Sequence, residues 1–176
     1  MDVPIHESID LSEIYPSVVD RYFTRQYFTN NQDDNDMCLL FHSNKICVVT
    51  LAPTHNILKR KLAVKNVNFK IGEELDRSEN IVKGKGKKGA QNVNANSVLC
   101  IVKCEDGTEY RIKACVRGKL IEVNENLVTN PQLLVDKPET EGYIAVVLQR
   151  LGDKSNQELG YKTEKDYAKY CESSNE

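Results

Sequence analysis

A chain of 176 residues, 40% apolar and 28% charged, is long enough to bury its own core without metal or disulfide staples, and its composition is that of a globular rather than a disordered protein. Its net charge is −2, from 24 basic and 26 acidic residues, so no global field draws it to nucleic acid or an anionic membrane, and any anion binding is local. The longest wholly apolar runs, such as residues 144–148, fall far short of the roughly 18 residues that cross a bilayer.

Residues 1–14 are polar and irregular, as expected of a flexible arm, and MDVPIHESID has neither the basic flank nor the apolar stretch of a secretory signal, so the expectation is a protein kept inside the cell. In PSVVDRYFTRQY, Pro16 and Ser17 open a helix, with Asp20 as the capping partner of Ser17 and Val18, Val19, Tyr22, Phe23 and Tyr27 as its apolar stripe. FTNNQDDND reads as a polar loop of solvated charge, and CLLFHSNKICVVTL as two strands joined through Ser43 and Asn44. PTHNIL is a turn or a single helical turn, and VKNVNFKI alternates as a half-buried strand.

SVLCIVKC and EYRIKACV read as a hairpin joined by Asp106-Gly107, the dipeptide of a two-residue type I′ turn, which sets Ile101 against Ile112 and Leu99 against Ala114. Gly118 marks a corner or bulge before KLIEV. NENLVTNPQLLVDKPETEG is a connector, and YIAVVL is a core strand. Thr163 with Asp166 caps a last short helix carrying Tyr167 and Tyr170 on one face. The division expected is an arm over 1–14, one domain with an N-terminal helix over 15–150 and a polar C-terminal segment with a short helix over 151–176. Many short strands at turn-punctuated intervals imply a mainly β small barrel or sandwich.

IVKGKGKKGAQ, residues 81–91, gathers Lys83, Lys85, Lys87 and Lys88 between glycines. Gly84 and Gly89 have the glycine spacing of a phosphate-binding P-loop, but Ala90 and Gln91 stand where Lys and Ser or Thr are required. The stretch is therefore a solvated basic loop or a local patch for an acidic surface, and CVRGKL adds a second small basic site at Arg117 and Lys119. His6, His42 and His55 have no acid or nucleophile at a recognisable spacing, so no catalytic residue is assigned. Six cysteines, at 38, 47, 100, 104, 115 and 171, form no CxxC pair, and the expectation is buried structural thiols with no metal site.

The strings DRYFTR (20–25), HSNKICVVTLA (42–52), KKGAQ (87–91), CVRGKLIEVNENL (115–127) and KPETEGYIAVVL (137–148) resemble the Abitram (Simiate) family of actin-binding transcription modulators, from about Pro16 to the final helix. The chain departs from that pattern in its longer N-terminal arm, around QDDND, in the lysine-rich GKGKKGAQ and after Leu148. The resemblance implies a barrel-sandwich hybrid like the lipoyl and biotinyl carriers and the glycine cleavage H protein, with short flanking helices. In such carriers a lysine at an exposed hairpin tip bears the cofactor. Laid on VKCEDGTEYRIKACVRG, the tip falls at Asp106 and Gly107, and the nearest lysines, Lys103 and Lys113, belong to strand bodies. The resemblance thus implies a non-enzymatic binding scaffold without a cofactor.

It further implies binding of monomeric and filamentous actin, roles in filopodia and dendrite branching, and a place in nuclear speckles as well as in cytoplasm and actin-rich protrusions. Lys83, Lys85, Lys87 and Lys88 are the partner-binding candidates, chosen for charge clustering against acidic actin. A nuclear RNA- or chromatin-associated adaptor is the alternative, although the lysines lack the interleaved aromatics that stack on single strands. A lipoyl-type carrier is disfavoured by the bare tip. Neither a membrane nor a small-molecule substrate is indicated.

Overall fold

The computed structural model describes residues 12–29, 35–150, 152 and 156–173. Most of the expected arm, and His6 with it, lies outside the described residues, as do positions 30–34 of the polar loop. Ser17 caps helix α1, Val18–Tyr22, with Asp20, each side chain accepting from the other's backbone N–H at 3.1 Å. The helix stops after five residues, which corrects the stripe read from the sequence. Phe23–Phe28 is strand β1, paired with β2, Met37–His42, from Phe23↔His42 to Phe28↔Met37. FTRQYF is rich in aromatic and β-branched residues, and six cross-strand pairs outweigh a helix too short to stand alone. Val19 and Tyr27 are buried, whereas Val18 and Tyr22 point to solvent.

β2 turns back into β3, Ile46–Leu51, at the expected place but through three residues, Ser43, Asn44 and Lys45, rather than Ser43-Asn44 alone, with Lys45 in the left-handed region at φ 72°. One helical turn, α2 (Asn56–Lys59), is capped by His55, whose Nδ1 accepts from the Ile57 N–H. β4, Val64–Asn68, does not alternate cleanly. A register shift between Val64 and Asn66 lets Val64, Val67 and Phe69 reach the core.

β6, Val98–Cys104, and β7, Glu109–Lys113, form the expected hairpin in a different register: Ile101 faces Arg111 and Cys100 faces Ile112. The turn is a three-residue loop, Glu105–Gly107, closed by Gly107 N–H donating to Cys104 O at 3.1 Å and Cys104 N–H to Thr108 O at 2.9 Å. Only Gly107 has positive φ, 86°, where type I′ requires it of Asp106 too. An extra residue in the loop moves every pair by one, and the shift between Val98 and Cys100 then returns both Leu99 and Cys100 to the interior.

A two-residue strand, β5, Asn92–Val93, precedes that hairpin and pairs with the strand that follows it, β8, Gly118–Val123. Gly118 opens this strand rather than bending it: a Cβ there would overlap the Leu148 carbonyl oxygen, so the glycine permits close strand approach, and the bulge sits between Leu120 and Glu122. The connector holds two helical turns, α3 (Asn126–Thr129) and α4 (Leu133–Asp136), which plug the core with Leu127 and Leu134. β9, Ala145–Leu148, lies between β3 and β8. Thr163 and Asp166 cap α5, Glu164–Ser173.

Six antiparallel strands in the order β1-β2-β3-β9-β8-β5 make one sheet and β4-β6-β7 the other, with the main core between them. A second cluster forms where α5 covers the outer face of β1 and β2: Tyr167 stacks on Tyr27 with ring centroids 3.7 Å apart. β2 is therefore buried on both faces, Met37 and Leu39 inward and Cys38 and Leu40 outward, which explains its unbroken apolar run. Arg25 joins α1 to the connector, pairing with Glu139 at 2.7 Å and Asp20 at 2.6 Å. QDDND is not wholly solvated, since Asp36 is buried and accepts from Thr54 Oγ1 at 2.6 Å.

Candidate functional site

The lysine-rich stretch is a small hairpin. Lys83 and Lys88 exchange both backbone hydrogen bonds, at 3.0 and 2.9 Å, and Lys87 N–H donates to Gly84 O to close the tip. Gly84 and Lys87 both have positive φ, 67° and 51°. Lys83, Lys85 and Lys88 are exposed, Lys87 is half-buried, and Ile81, 61% exposed, stands beside them above a shallow groove that Glu79 and Gln91 also line. The hairpin thus offers three exposed lysines, two of which, Lys83 and Lys88, share the groove with the apolar Ile81, a surface suited to an acidic partner with a small apolar contact.

Its neck is clamped by neutral polar groups that sequence reasoning missed. Asn80 Oδ1 accepts from Gln91 N–H at 2.8 Å, and Asn80 Nδ2 donates across to Leu120 O on β8, also at 2.8 Å. Gln91 Nε2 donates to Asp76 O while its Oε1 accepts from the buried Arg77, which also reaches Val98 O. Among the second basic pair, Lys119 turns inward: its Nζ donates to the hairpin's Gly86 O at 2.9 Å. Lys119 is thereby a buttress of the first site. Arg117 is exposed, and its backbone is bracketed by Asn156.

Asp106 and Gly107 sit at the tip of the β6–β7 hairpin, with Asp106 Oδ1 accepting from the backbone and hydroxyl of Thr108. That bonding holds the carboxyl below its usual range. Lys103 pairs with Glu109 at 3.4 Å along the strands, and Lys113 lies on β7 opposite Val98. The tip residues Glu105–Thr108 include no amine that could form an amide with a carrier cofactor, so a lysine-linked group does not fit here.

The remaining chemistry is quiet. Burial pushes the Cys38 and Cys115 thiols up to about 12 and raises Cys47 and Cys100 as well, which keeps them neutral and poorly nucleophilic. Burial also pushes His55 down to about 4, and it packs edge-on against Tyr110. His42 lies at the end of β2 against Phe23. Among the described residues no group of three or more His, Cys, Asp or Glu could hold a metal ion, and no helix is long and apolar enough to cross a membrane.

Two small antiparallel sheets with a projecting hairpin define a barrel-sandwich hybrid of the glycine cleavage H-protein class. A family model described as "Glycine cleavage H-protein" matches residues 74–174. The crystal structure of a glycine cleavage system H protein from Mycobacterium marinum is similar in fold, with a TM-score of 0.54 and 16% identity over 82% of this chain and 94% of that one. Within that class the chain belongs to the Abitram family. It is 46% identical over 154 residues to Protein Abitram of Bos taurus, covering 86% of this chain and 82% of the relative. To the Drosophila melanogaster protein of that name it is 42% identical over 173 residues, covering 98% and 78%. To the Dictyostelium discoideum protein it is 31% identical over 158 residues, covering 87% of both.

Proposed function

We propose that this chain is a non-enzymatic actin-binding protein that docks on acidic faces of monomeric and filamentous actin through the 83–88 hairpin. Its roles in this reading are regulation of actin polymerisation, filopodia and neurite or dendrite branching, together with a transcription-associated role in nuclear speckles, and it occupies nucleus, cytoplasm and actin-rich protrusions. The observation that carries the reading is the lysine hairpin itself: Lys83, Lys85 and Lys88 project from a backbone fixed by Asn80, Gln91 and Lys119, so little ordering entropy opposes docking. Family membership supports the choice of partner, and the absence of an acceptor amine on the β6–β7 tip supports a scaffold over a carrier.

The test is co-sedimentation with actin filaments over a salt series, for the wild type and for the triple exchange of Lys83, Lys85 and Lys88 to Glu. The expected result is wild-type pelleting that weakens with salt and at least roughly tenfold weaker binding for the variant, as screened charge contacts require. Equal pelleting of both would move the contact to another face. If neither pellets while the wild type binds RNA or nucleosomes, the proposal gives way to the nuclear adaptor.

A further inference from the structure

Two open sheets have four edges, each a row of unpaired backbone groups, and proteins blunt such edges with covering segments, short strands or bulges. Three of the four are treated in that way here. β1 exchanges two hydrogen bonds with a later segment, Tyr27 N–H donating to Lys162 O at 2.9 Å and Lys162 N–H to Tyr27 O at 2.8 Å. β5 is two residues long. β4 has its register shift between Val64 and Asn66, and its Val64 N–H donates to Gln132 Oε1 at 3.1 Å. The fourth edge, β7, runs five residues, Glu109–Lys113, and pairs with β6 alone.

The register identifies its free groups. Cys104 N–H donates to Thr108 O and Ala114 N–H to Ser97 O, so Thr108, Ala114 and every second residue between them turn their backbone groups toward β6. Glu109, Arg111 and Lys113 therefore aim N–H and C=O away from the sheet, and no hydrogen bond among the described residues uses the backbone of any of the three. All three residues are exposed.

Side chains decide what can pair there. Glu109 is matched within the sheet by Lys103, whereas no ion pair engages Arg111 or Lys113 among the described residues. Fully overlapped with a second copy of β7, these cations would meet like charge, which is unfavourable across a strand pair. A strand with acidic residues at alternate positions meets them with opposite charge. Its other side chains fall on the face of Ile112, where Phe28 and Met37 help to line a groove of about 290 Å³ beside β7. That groove has room for side chains rather than for a whole segment, so the added backbone stays at the edge.

We propose that the free edge of β7 takes an extended segment of a partner protein by strand addition, with acidic residues set against Arg111 and Lys113 and the alternate, apolar ones turned toward Phe28 and Met37. The surface shares no residue with the 83–88 hairpin, so it is separate from actin docking.

The test is an anisotropy titration with a labelled seven-residue peptide alternating glutamate and valine. Controls are the same peptide with lysine for glutamate and an isomer with its glutamates in one block. The expected result is saturable one-to-one binding, at least roughly tenfold weaker for both controls and for the double exchange Arg111→Glu with Lys113→Glu, which should instead favour the lysine peptide. Those positions are exposed, so the double variant keeps its fold. Amide exchange at Arg111 and Lys113 should slow at least roughly tenfold on binding, while Tyr110 and Ile112, already bonded to β6, stay as they were. No saturation by about 1 mM would overturn the proposal. Binding without slower exchange at Arg111 and Lys113 would overturn strand addition, and equal binding of the blocked isomer would overturn the alternating pattern. Self-association of the wild type that the double variant loses would overturn the separate partner in favour of a second copy. Actin co-sedimentation stays the same in the double variant, which separates failure of this edge from failure of the docking hairpin.

Discussion

The 83–88 hairpin and the β6–β7 hairpin both leave the body of the domain as short antiparallel turns, but they are footed on different chemistry and carry opposite charge. The first ends in lysines and stands on neutral amides, Asn80 and Gln91, whose hydrogen bonds do not titrate. The second ends in Glu105 and Asp106 and rests over His55, which packs against Tyr110 and is neutral only because it is buried. The fold supplies two projecting turns, and what each presents is decided by a few residues at the tip and a few at the base.

Breaking the amide footing should have the largest effect. Asn80→Leu strips partners from Gln91 N–H and from carbonyls on β8, at an expected loss of about 2–3 kcal/mol in denaturant unfolding. Faster amide exchange at Lys83 and Lys88 would show that the loss falls on the lysine hairpin. An Asn80→Leu protein with unchanged exchange there would make the clamp ornamental.

The histidine footing should respond to acid where the amide one does not. The folded protein holds His55 down to about 4, below the ordinary 6.5, so as pH falls the unfolded chain takes up the proton first. Stability is therefore complete above pH 6.5 and declines as pH falls toward 4, by about 2 kcal/mol between pH 7 and pH 5. His55→Asn, which retains a cap acceptor for the Ile57 N–H, should flatten that slope. A variant with the wild-type slope would place the titrating group elsewhere.

Two smaller exchanges compare turns of like geometry. The β2–β3 and β6–β7 hairpins both use a three-residue loop with a left-handed last position, filled by Lys45 in one and by Gly107 in the other. Gly107→Ala should cost about 1 kcal/mol, because an L side chain disfavours that region. Lys45→Gly should gain roughly 0.5 kcal/mol, the relief of strain being partly offset by a freer unfolded chain. Thermal unfolding of the pair measures both, and a gain from Gly107→Ala would refute the shared geometry.

Those loops also mark where the sequence stopped being informative. Asp-Gly signals a hairpin whether the loop has two residues or three, and the choice rests on backbone dihedrals that the dipeptide alone does not encode, so the hairpin was legible and its register was not. Both helix caps were legible, because Ser17 with Asp20 and Thr163 with Asp166 are local patterns. The end of α1 was not, because the pairing that turns Phe23–Phe28 into a strand comes from β2. In the connector, α3 and α4 are single turns among Asn and Pro, with Leu127 and Leu134 as their only trace. The lysine cluster could be read directly. Its clamp could not, since Asn80 and Gln91 are eleven positions apart and meet only once the hairpin closes, and Lys119 looked like one more surface cation until its ammonium was seen bonding the tip.

The covering of β2 by α5 bears on how the chain emerges from the ribosome. Tyr27, Cys38 and Leu40 are made early, while Tyr167, which seals them, is made near the end. Throughout most of synthesis the outer side of the first hairpin is a greasy surface awaiting its lid, attractive to chaperones and to other nascent chains. A stop after β9 ends at Leu148 and before Thr163 leaves that surface permanently open, so such truncated products should be the aggregating species even though the two sheets lie upstream of the break.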